Sequence, residues 1–287
     1  MELFVQQLVN GLTLGSVYVL VGLGLTLVYG ILHVPNFAHG ALYMLGGYLT
    51  LIVMTSVGVH YFLAMFVSMV IIAFLAMLME RFVFHPLREA PPIHDKIAAI
   101  GLMLFFESLV LIIWGPEYRR MSTPYGGTLD IAGLTITTQR IMVIIASLAV
   151  MVLLYLFLKK TMIGSSIIAM AQNREGAYLV GINANMVAMM TFAISGAMAA
   201  IAASLASPIN LVFPSMGHLV LLKAFVIVIS GGMGSIPGAI IGGYILGMAE
   251  SLGATYISND YKDLIAFVLL VIIMTIRPRG LFAKGVH

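Results

Sequence analysis

Long apolar runs that do not alternate with polar residues restrict this chain more than any other feature. Of its 287 residues, 61% are hydrophobic and 9% are charged, whereas a soluble domain has about 25% charged residues. A bilayer crossing needs about 20 apolar residues in a helix, and only helices or closed barrels satisfy the backbone there. Because the runs are continuous, the sequence predicts an all-α integral membrane protein, a polytopic helix bundle of about 8 or 9 spans with broken or re-entrant segments. We expect one transmembrane domain over residues 1–287.

The apolar runs are separated by short polar or glycine-rich stretches, which gives the approximate limits of each span. The beginning of the chain lacks the basic region of a cleaved signal peptide, so the first run is expected to be a retained span. The candidate spans are 8–29, 37–56, 62–80, 97–114, 140–158, 187–206, 219–235, 239–257 and 264–276.

The distribution of Lys and Arg between alternate loops predicts the orientation, since cytoplasmic loops are enriched in these residues. Lys223 falls inside or at the edge of a span and is not counted. One side carries Arg81, Arg88, Lys96, Lys159, Lys160, Arg174, Arg277, Arg279 and Lys284, and the other carries Arg119, Arg120, Arg140 and Lys262. The first side has more Lys and Arg and is therefore expected to be cytoplasmic. This places the N-terminus outside and the C-terminus in the cytoplasm. Residues 159–186 are therefore expected to be cytoplasmic.

Several classes of function are disfavoured by composition. The formal net charge is only +3, too small and too dispersed for nucleic-acid binding. The absence of cysteine excludes a disulfide scaffold and thiolate metal sites. No two histidines have metal-ligand spacing on one helix face, and no arrangement of Ser, His and acid suggests catalysis. We therefore expect neither an enzyme nor a metal site.

Three connections differ from plain loops. The segment "HVPNFAHG" (33–40) separates the first two spans, and "SGGMGSIPGAIIGG" (230–243) separates the seventh and eighth. Gly and Pro at this density stop a helix, and non-helical backbone at membrane depth must be buried in protein or line a wet cavity. For the second break, a tight turn at the cytoplasmic surface is an equal alternative. The outer segment 125–139 alternates β-forming residues around Ala132-Gly133, which predicts a hairpin, with an irregular loop as the alternative.

Small residues recur every four positions in two spans. Ser195, Ala199 and Ala203 form such a face in the sixth span, and Gly234, Gly238 and Gly242 in the eighth. Faces of this kind let helix backbones approach closely in lipid. They predict a compact bundle.

Ionisable residues inside spans are functional candidates because they are costly there. They are Glu107, Lys223 and Glu250, with His39 near the start of the second span. No chain of carboxylates is suited to relaying protons or binding sodium, which argues against an ion-coupled transporter. For Lys223 and Glu250, a buried structural pair or snorkelling to the interface is the alternative to a role in lining a path.

An ATP-driven pump built on this chain would need a second polypeptide, because no G-x-x-x-x-G-K-[ST] motif occurs. The cytoplasmic stretch "AQNREGAYLVGIN" (171–183) has the properties of a docking element. Asn173 is predicted to cap a short helix with Glu175 in its first turn, and Gly181 to end it. Ala177, Leu179 and Val180 give this helix an apolar side, which fits a groove on a partner. A helix lying on lipid headgroups is the alternative.

Several motifs in order along the chain carry a family resemblance. "AQNREGAYLVGIN", "NGLTLGSVYVLVGLGLTLVYGILHVPNFAHGALYMLGGY" (10–48), "ERFVFHPLR" (80–88), "GGMGSIPGAIIGGYILGMAES" (231–251) and "YKDLIAFVLLVIIMTIRPRGLF" (261–282) resemble the LivH-type permeases. These are membrane subunits of bacterial ATP-binding-cassette importers for branched-chain amino acids. The family often carries basic residues where Ser165 and Ile168 stand here. We therefore expect a less electrostatic contact with the ATPase.

The resemblance implies an importer with several partners. A soluble binding protein would deliver substrate to a heterodimer of this chain and a related permease in the bacterial inner membrane. Two ATPase subunits, which hold the ATP and Mg²⁺, would dock on coupling segments, here residues 164–183; this chain itself is expected to bind no cofactor. The residues expected to contact the ATPase are Asn173, Arg174, Glu175, Gly176, Ala177, Leu179, Gly181, Ile182 and Asn183. Those expected to line the translocation path are Asn36, His39, Gly231, Gly232, Gly234 and Pro237.

The substrate expectation combines charge and resemblance. The spans assigned to the path are expected to carry no paired charges, so a strongly ionic solute would lack a counter-charge during passage. The resemblance implies leucine, isoleucine and valine, with urea, short amides or other amino acids as the alternative. An ATP-independent channel or facilitator, and a structural membrane partner, remain competing interpretations.

Overall fold

The structure is a computed structural model that describes residues 2–32, 36–88, 90–131, 134–278 and 280–282. Nine long helices in this part of the chain correspond one to one with the nine predicted spans, and three shorter helices lie between them. Their bounds are α1 Glu2–Leu32, α2 His39–Ser56, α3 Tyr61–Met79, α4 His85–Leu87, α5 Pro92–Trp114, α6 Thr138–Lys160, α7 Met162–Gln172, α8 Arg174–Leu179, α9 Ala184–Ala206, α10 Met216–Gly231, α11 Ile236–Tyr256 and α12 Lys262–Ile276. The all-α prediction is confirmed.

Smaller elements connect these helices. A π-helical segment, Glu80–Phe84, joins α3 to α4, and a 3₁₀ turn, Asn259–Tyr261, precedes α12. Strands β1 (Thr128–Ile131) and β2 (Leu134–Thr137) pair antiparallel. The predicted hairpin is therefore confirmed, while its turn at Ala132-Gly133 lies outside the described residues.

Six helical segments are long and apolar enough to cross a membrane, judged by length and composition over the described residues. These segments are α1, α5, α6, α9, α11 and the continuous segment Tyr61–Leu87, which runs from α3 to α4. Helices α2, α10 and α12 have 18, 16 and 15 residues, which at 1.5 Å per residue is about 23 to 27 Å. This falls short of the hydrocarbon thickness of about 30 Å. Most of α2 is buried in the bundle, so protein rather than lipid surrounds it.

The centre of the bundle is formed by α1 and α9, whose middle turns are almost fully buried. Glycines allow α1 and α11 to approach closely. A Cβ on Gly247 would lie 2.3 Å from the Gly15 nitrogen, and one on Gly243 would lie 2.6 Å from a Val19 methyl. Such faces of small residues are typical of helix pairs in membranes. The close contact between α1 and α11 positions the other helices that pack around this pair.

The two predicted faces of small residues behave differently. Ser195, Ala199 and Ala203 are all buried within the bundle, and the neighbouring Gly196 abuts Ile72 and Ala76 of α3. In the eighth span, Gly238 packs against Gly231 of α10. Gly234, however, is not on α11 but in the preceding turn, with φ +82°. The four-residue spacing in the sequence could not show that α11 begins at Ile236, two residues after Gly234.

The second predicted break is a short turn. Residues 232–235 connect α10 to α11, so the tight-turn alternative describes this connection. The backbone amides of Leu281 and Phe282 donate to the Ser230 and Gly231 carbonyls at 2.8 and 3.1 Å. They thereby satisfy helix-end acceptors of α10 that have no partner within the helix. In the first break, residues 33–35 lie outside the described part of the chain, as do Arg279 and Lys284 of the charge count.

Candidate functional site

A cavity of about 710 Å³ opens between α1, α10, α11 and α12, within the usual range for a small-molecule site. The N-terminal half of α1, the N-terminal ends of α6, α10 and α12, and the C-terminal half of α11 contribute its walls. The α9–α10 connection completes it. All of these segments lie at the end of the bundle that also carries the β1–β2 hairpin.

A hydrogen-bonded charge cluster lines this cavity. The Lys223 ammonium lies 3.0 Å from Glu250 Oε2 and 3.0 Å from Asp263 Oδ1. The Tyr18 hydroxyl donates to Glu250 Oε2 at 2.7 Å and accepts from Lys223 at 3.0 Å. The cluster thus joins α1, α10, α11 and α12. Lys223 and Glu250 form the buried pair that the sequence left as an alternative, and they line a cavity as well.

This cluster corrects one expectation about charge. The spans on both sides of the second glycine break were expected to carry no paired charges, and that expectation is wrong for α10 and α11. Lys223 and Glu250 are 27 residues apart in sequence, and they meet because the tight turn folds α11 back along α10. Sequence reasoning also missed Tyr18 and Asp263, since nothing in a single sequence relates them to Lys223.

The connection between α9 and α10 forms an apolar wall and is held in place by the loop after α5. Arg119 and Val212 exchange two backbone hydrogen bonds of 2.8 Å. The Tyr118 and Phe213 rings lie with their centroids 4.9 Å apart. These contacts fix the segment that presents Ile209 and Phe213 to the cavity.

The other intramembrane acid, Glu107, is outside the cavity lining. Its carboxylate lies 2.5 Å from the His218 ring. This contact connects α5 to α10. Both side chains are partly exposed at the side of the bundle. Among the described residues, no group of three or more His, Asp or Glu side chains is placed to hold a metal ion.

The residues assigned to the translocation path lie away from this cavity. The buried Asn36 side chain accepts from the Ala38 amide at 3.0 Å. The His39 ring is fully buried, 3.1 Å from the Val21 carbonyl and 3.2 Å from the Ser195 hydroxyl. His39 thus connects α2 to α1 and α9. Its role in a path stays a prediction.

The glycine-rich part of the assigned path surrounds the α10–α11 turn. Gly231 and Gly232 are buried there, whereas Gly234 and Pro237 are exposed at the same end of the bundle as α8. Their role in a path also stays a prediction.

The predicted coupling segment folds into α7, α8 and the turn that leads to α9. Asn173 Oδ1 accepts from the Gly176 amide at 2.9 Å, which caps α8 as predicted. At the other end, Ile182 donates to the Ala177 carbonyl and Gly181 to that of Tyr178, both at 3.0 Å, with Gly181 at φ +82°. This is a Schellman ending. Both ends of α8 are therefore fixed by the local sequence.

The two sides of α8 differ in exposure. Ala177 is buried against the bundle, whereas Leu179 and Val180 are 89% and 76% exposed. Arg174 and Glu175 are exposed in the first turn. The apolar side expected to be one surface is thus divided, with Ala177 attaching the helix and Leu179 and Val180 projecting outward.

The turn after α8 is attached to the neighbouring loop. Asn183 Oδ1 accepts from the amides of Asn185 and Met186, both at 3.1 Å, and so caps α9. The Arg88 guanidinium donates to Asn185 Oδ1 at 2.6 Å and pairs with the fully buried Glu80 of the π-helical segment. Gly176 and Ile182 are both half-buried, and the turn that follows α8 is joined to α9 by the Asn183 cap and to the π-helical segment through Arg88.

The cavity and α8 lie at opposite ends of the bundle. Arg140, at the beginning of α6, lines the cavity, and α7 and α8 follow the end of α6. Helix α6 has 23 residues, which is about 35 Å. The two surfaces are therefore separated by about the thickness of a membrane.

Comparison with known proteins gives consistent matches over nearly the whole chain. Residues 7–274 match the family model "Branched-chain amino acid transport system / permease component". The high-affinity branched-chain amino acid transport system permease protein BraD of Pseudomonas aeruginosa is 35% identical over 98% of this chain and 96% of its own length. LivH of Escherichia coli K12, which has the same descriptive name, is 34% identical with the same coverage.

A solved structure shares the fold. The structure "PsaBC from Streptococcus pneumoniae in complex with Fab" has a chain that superposes with a TM-score of 0.51. The match covers 97% of this chain and 93% of that one, at 12% sequence identity. At this identity the likeness concerns the arrangement of the helices.

Proposed function

This chain belongs to the family of permease components of branched-chain amino acid transport systems, and from this premise we propose that it translocates branched-chain amino acids as the membrane subunit of an ATP-driven importer. It is a multi-pass permease of the inner membrane rather than an enzyme, because this family supplies the membrane component. ATP hydrolysis belongs to separate subunits. ATP and Mg²⁺ would be bound there.

The proposed assembly contains a second, related permease, two ATPase subunits and a soluble binding protein. The binding protein would deliver its substrate at the end of the bundle where the cavity opens. The ATPase subunits would dock at the opposite end, on residues 164–183. Closure of the ATPase pair around ATP would then move the coupling segments and change which end of the path is open.

The observation that best supports this function is the exposed, doubly capped helix α8. Leu179 and Val180 project from it at 89% and 76% exposure, although large apolar side chains at a water-facing surface are costly. A groove on a partner would bury them, by the helix-in-groove mode of recognition. Burying a Leu side chain contributes about 1.5 to 3 kcal/mol.

The path through the bundle is proposed to run from the cavity toward the α10–α11 turn. Asn36, His39, Gly231, Gly232, Gly234 and Pro237 are kept as candidates for its inner part. These residues lie at the end of the bundle that carries α8, and Gly234 and Pro237 are exposed there. Movement of the helices during transport would be required to connect them to the cavity.

The test is uptake of radiolabelled leucine into proteoliposomes that contain the assembled transporter. We expect uptake to require internal ATP, this chain and the external binding protein, and to persist when an ionophore collapses the proton gradient. Liposomes with all components except ATP are the control. Uptake that follows the proton gradient without ATP would refute the importer. ATP-dependent uptake of urea but not leucine would replace the substrate and keep the mechanism.

A further inference from the structure

Glu250 has one carboxylate oxygen that the structure leaves without a partner. The residue lines the cavity and is 3% exposed. Its Oε2 atom is engaged by Tyr18 and Lys223, while Oε1 has no hydrogen-bond partner among the described residues. An ionised buried oxygen without a donor is costly, so native structures seldom leave one unexplained. Oε1 has almost no accessible surface in this conformation, so a cationic ligand in the cavity would supply that donor after the carboxylate turns toward it.

The net charge of the cluster formed by Lys223, Glu250 and Asp263 also favours a cationic ligand. Lys223 lies within 3.0 Å of two carboxylates, Glu250 and Asp263. One ammonium thus faces two negative charges, and the local excess is one negative charge. A second ammonium would neutralise this excess and hydrogen-bond to the free oxygen of Glu250.

Positive groups at other positions of the same cavity are suited to the opposite charge of a zwitterion. Arg140 lines the cavity from α6 and hydrogen-bonds to Asn10 of α1. Lys262 lines it from the beginning of α12. A ligand with both an ammonium and a carboxylate would find partners for each.

The remaining wall is apolar. Leu14 and Val17 of α1, Ile209 and Phe213 of the α9–α10 connection, and Val220 of α10 contribute to it. A branched aliphatic side chain would be removed from water here, at roughly 25 cal/mol per Å² of apolar surface. Charged and apolar walls in one cavity fit an amino acid with an apolar side chain.

We propose that this cavity is a substrate site of the permease, in which Glu250 Oε1 binds the α-ammonium of an apolar amino acid. The inference rests on the proposed function for the direction of transport, and it specifies which residue recognises the substrate inside the membrane. The permease itself would then select for an ammonium, in addition to any selection by the binding protein.

A cysteine in the cavity allows binding to be measured without transport. The chain contains no cysteine, so Val220→Cys provides a single reactive thiol on the apolar wall, provided that the assembled partner subunits are also free of reactive cysteine. The rate of its modification by methyl methanethiosulfonate is measured in the assembled transporter without binding protein, over a series of ligand concentrations. Leucine should slow the reaction. Ser122→Cys, on an exposed loop outside the cavity lining, should give a rate that leucine does not change.

Leucine analogues test the ammonium contact without altering Glu250. 3-Methylbutylamine keeps the ammonium and the branched chain, whereas 4-methylpentanoate keeps the branched chain and the carboxylate. A charged hydrogen bond contributes enough for at least about a tenfold difference in affinity. The amine should therefore protect the thiol of Val220→Cys at a concentration at least about tenfold lower than the acid does. Equal protection by both, or protection by neither leucine nor the amine, would refute the proposal.

Glu250→Gln, introduced together with Val220→Cys, tests the residue itself. Asp263 remains to pair with Lys223, so the variant does not leave the ammonium of Lys223 without a counter-charge. We expect the leucine concentration for half-protection to rise at least about tenfold and the preference for the amine over the acid to disappear. Glu117→Gln makes the same chemical change on an exposed loop outside the cavity lining and should leave protection unchanged. An unaltered preference in Glu250→Gln would refute the assignment.

Uptake measured on the same preparations separates this proposal from the proposed function. If ATP-dependent leucine uptake occurs but leucine does not protect the Val220→Cys thiol, the importer stands and the site is wrong. If leucine protects that thiol through Glu250 but no ATP-dependent uptake is found, the site stands and the importer is wrong.

Discussion

Single glycines determine how closely the helices around the α10–α11 turn can approach. A Cβ on Gly238 would lie 2.0 Å from the Gly231 carbonyl oxygen, and one on Gly231 would lie 2.4 Å from the Gly238 carbonyl carbon. Both neighbours are backbone atoms, which cannot rotate away as a flexible side chain can. Any side chain at either position must therefore separate α10 from α11.

The prediction at this scale is that Gly238→Ala destabilises the permease by about 1 to 3 kcal/mol, the usual cost of overpacking. Thermal unfolding of the purified transporter in detergent measures it. Gly101→Ala is the matched control, because no atom lies within 4 Å of the added Cβ on α5, and alanine is favoured over glycine in a helix. A Gly238→Ala variant that is as stable as the Gly101→Ala variant would contradict the packing argument.

Residue types were predictable from the sequence, but their contacts across helices were not. Lys223 and Glu250 are recognisable because charges are rare in apolar spans, and their pairing was one of two open alternatives. Tyr18 and Asp263 complete the cluster from α1 and the beginning of α12. A tyrosine in a span and an aspartate at a helix end are ordinary features in isolation, so only the packing of the four helices reveals them.

At the scale of elements, α8 is defined almost entirely by local sequence. Its cap at Asn173 and its ending at Gly181 were both predicted, because each depends on backbone geometry within a few residues. Helix α7 and the π-helical segment Glu80–Phe84 were not predicted. A π turn has no clear sequence pattern, and α7 lies in a segment that was assigned to the cytoplasm and, by resemblance, to the coupling region, with no helix predicted before Asn173.

We predict that Glu175→Arg combined with Leu179→Asp prevents docking of the ATPase. Both side chains are exposed, so the bundle should still insert and fold. Loss of an apolar anchor at the centre of an interface costs roughly 2 kcal/mol or more, and the reversed charge at Glu175 adds to this loss. Co-purification of the ATPase subunits and ATP-dependent leucine uptake should both disappear.

A matched control places the same kinds of change at the other end of the molecule. Glu117→Arg with Leu129→Asp alters an exposed acid and an exposed leucine of β1, and it should leave co-purification of the ATPase intact. If the variant at 175 and 179 still retains the ATPase and transports normally, α8 is an interfacial helix and not a coupling helix.

The whole molecule has two chemically different ends. The end with the β1–β2 hairpin carries the charged cavity, and the end with α7 and α8 carries the exposed Lys159, Lys160 and Arg174. Basic residues concentrate on the cytoplasmic side of membrane proteins. In the proposed orientation, the cavity would face the binding protein and α8 would face the ATPase.

Accessibility of single cysteines in intact cells tests this orientation. We predict that a membrane-impermeant maleimide labels Gly126→Cys, in the loop before β1, and does not label Ala90→Cys or Gln172→Cys. Gly126 and Gln172 are both exposed, so the membrane rather than burial must account for the difference between them. Gln172 is used in place of Asn173 because the Asn173 side chain caps α8. After permeabilisation, Gln172→Cys should react as fast as Gly126→Cys, which shows that its thiol is free. Labelling of Gln172→Cys from outside intact cells would reverse the orientation and remove α8 from reach of a cytoplasmic ATPase.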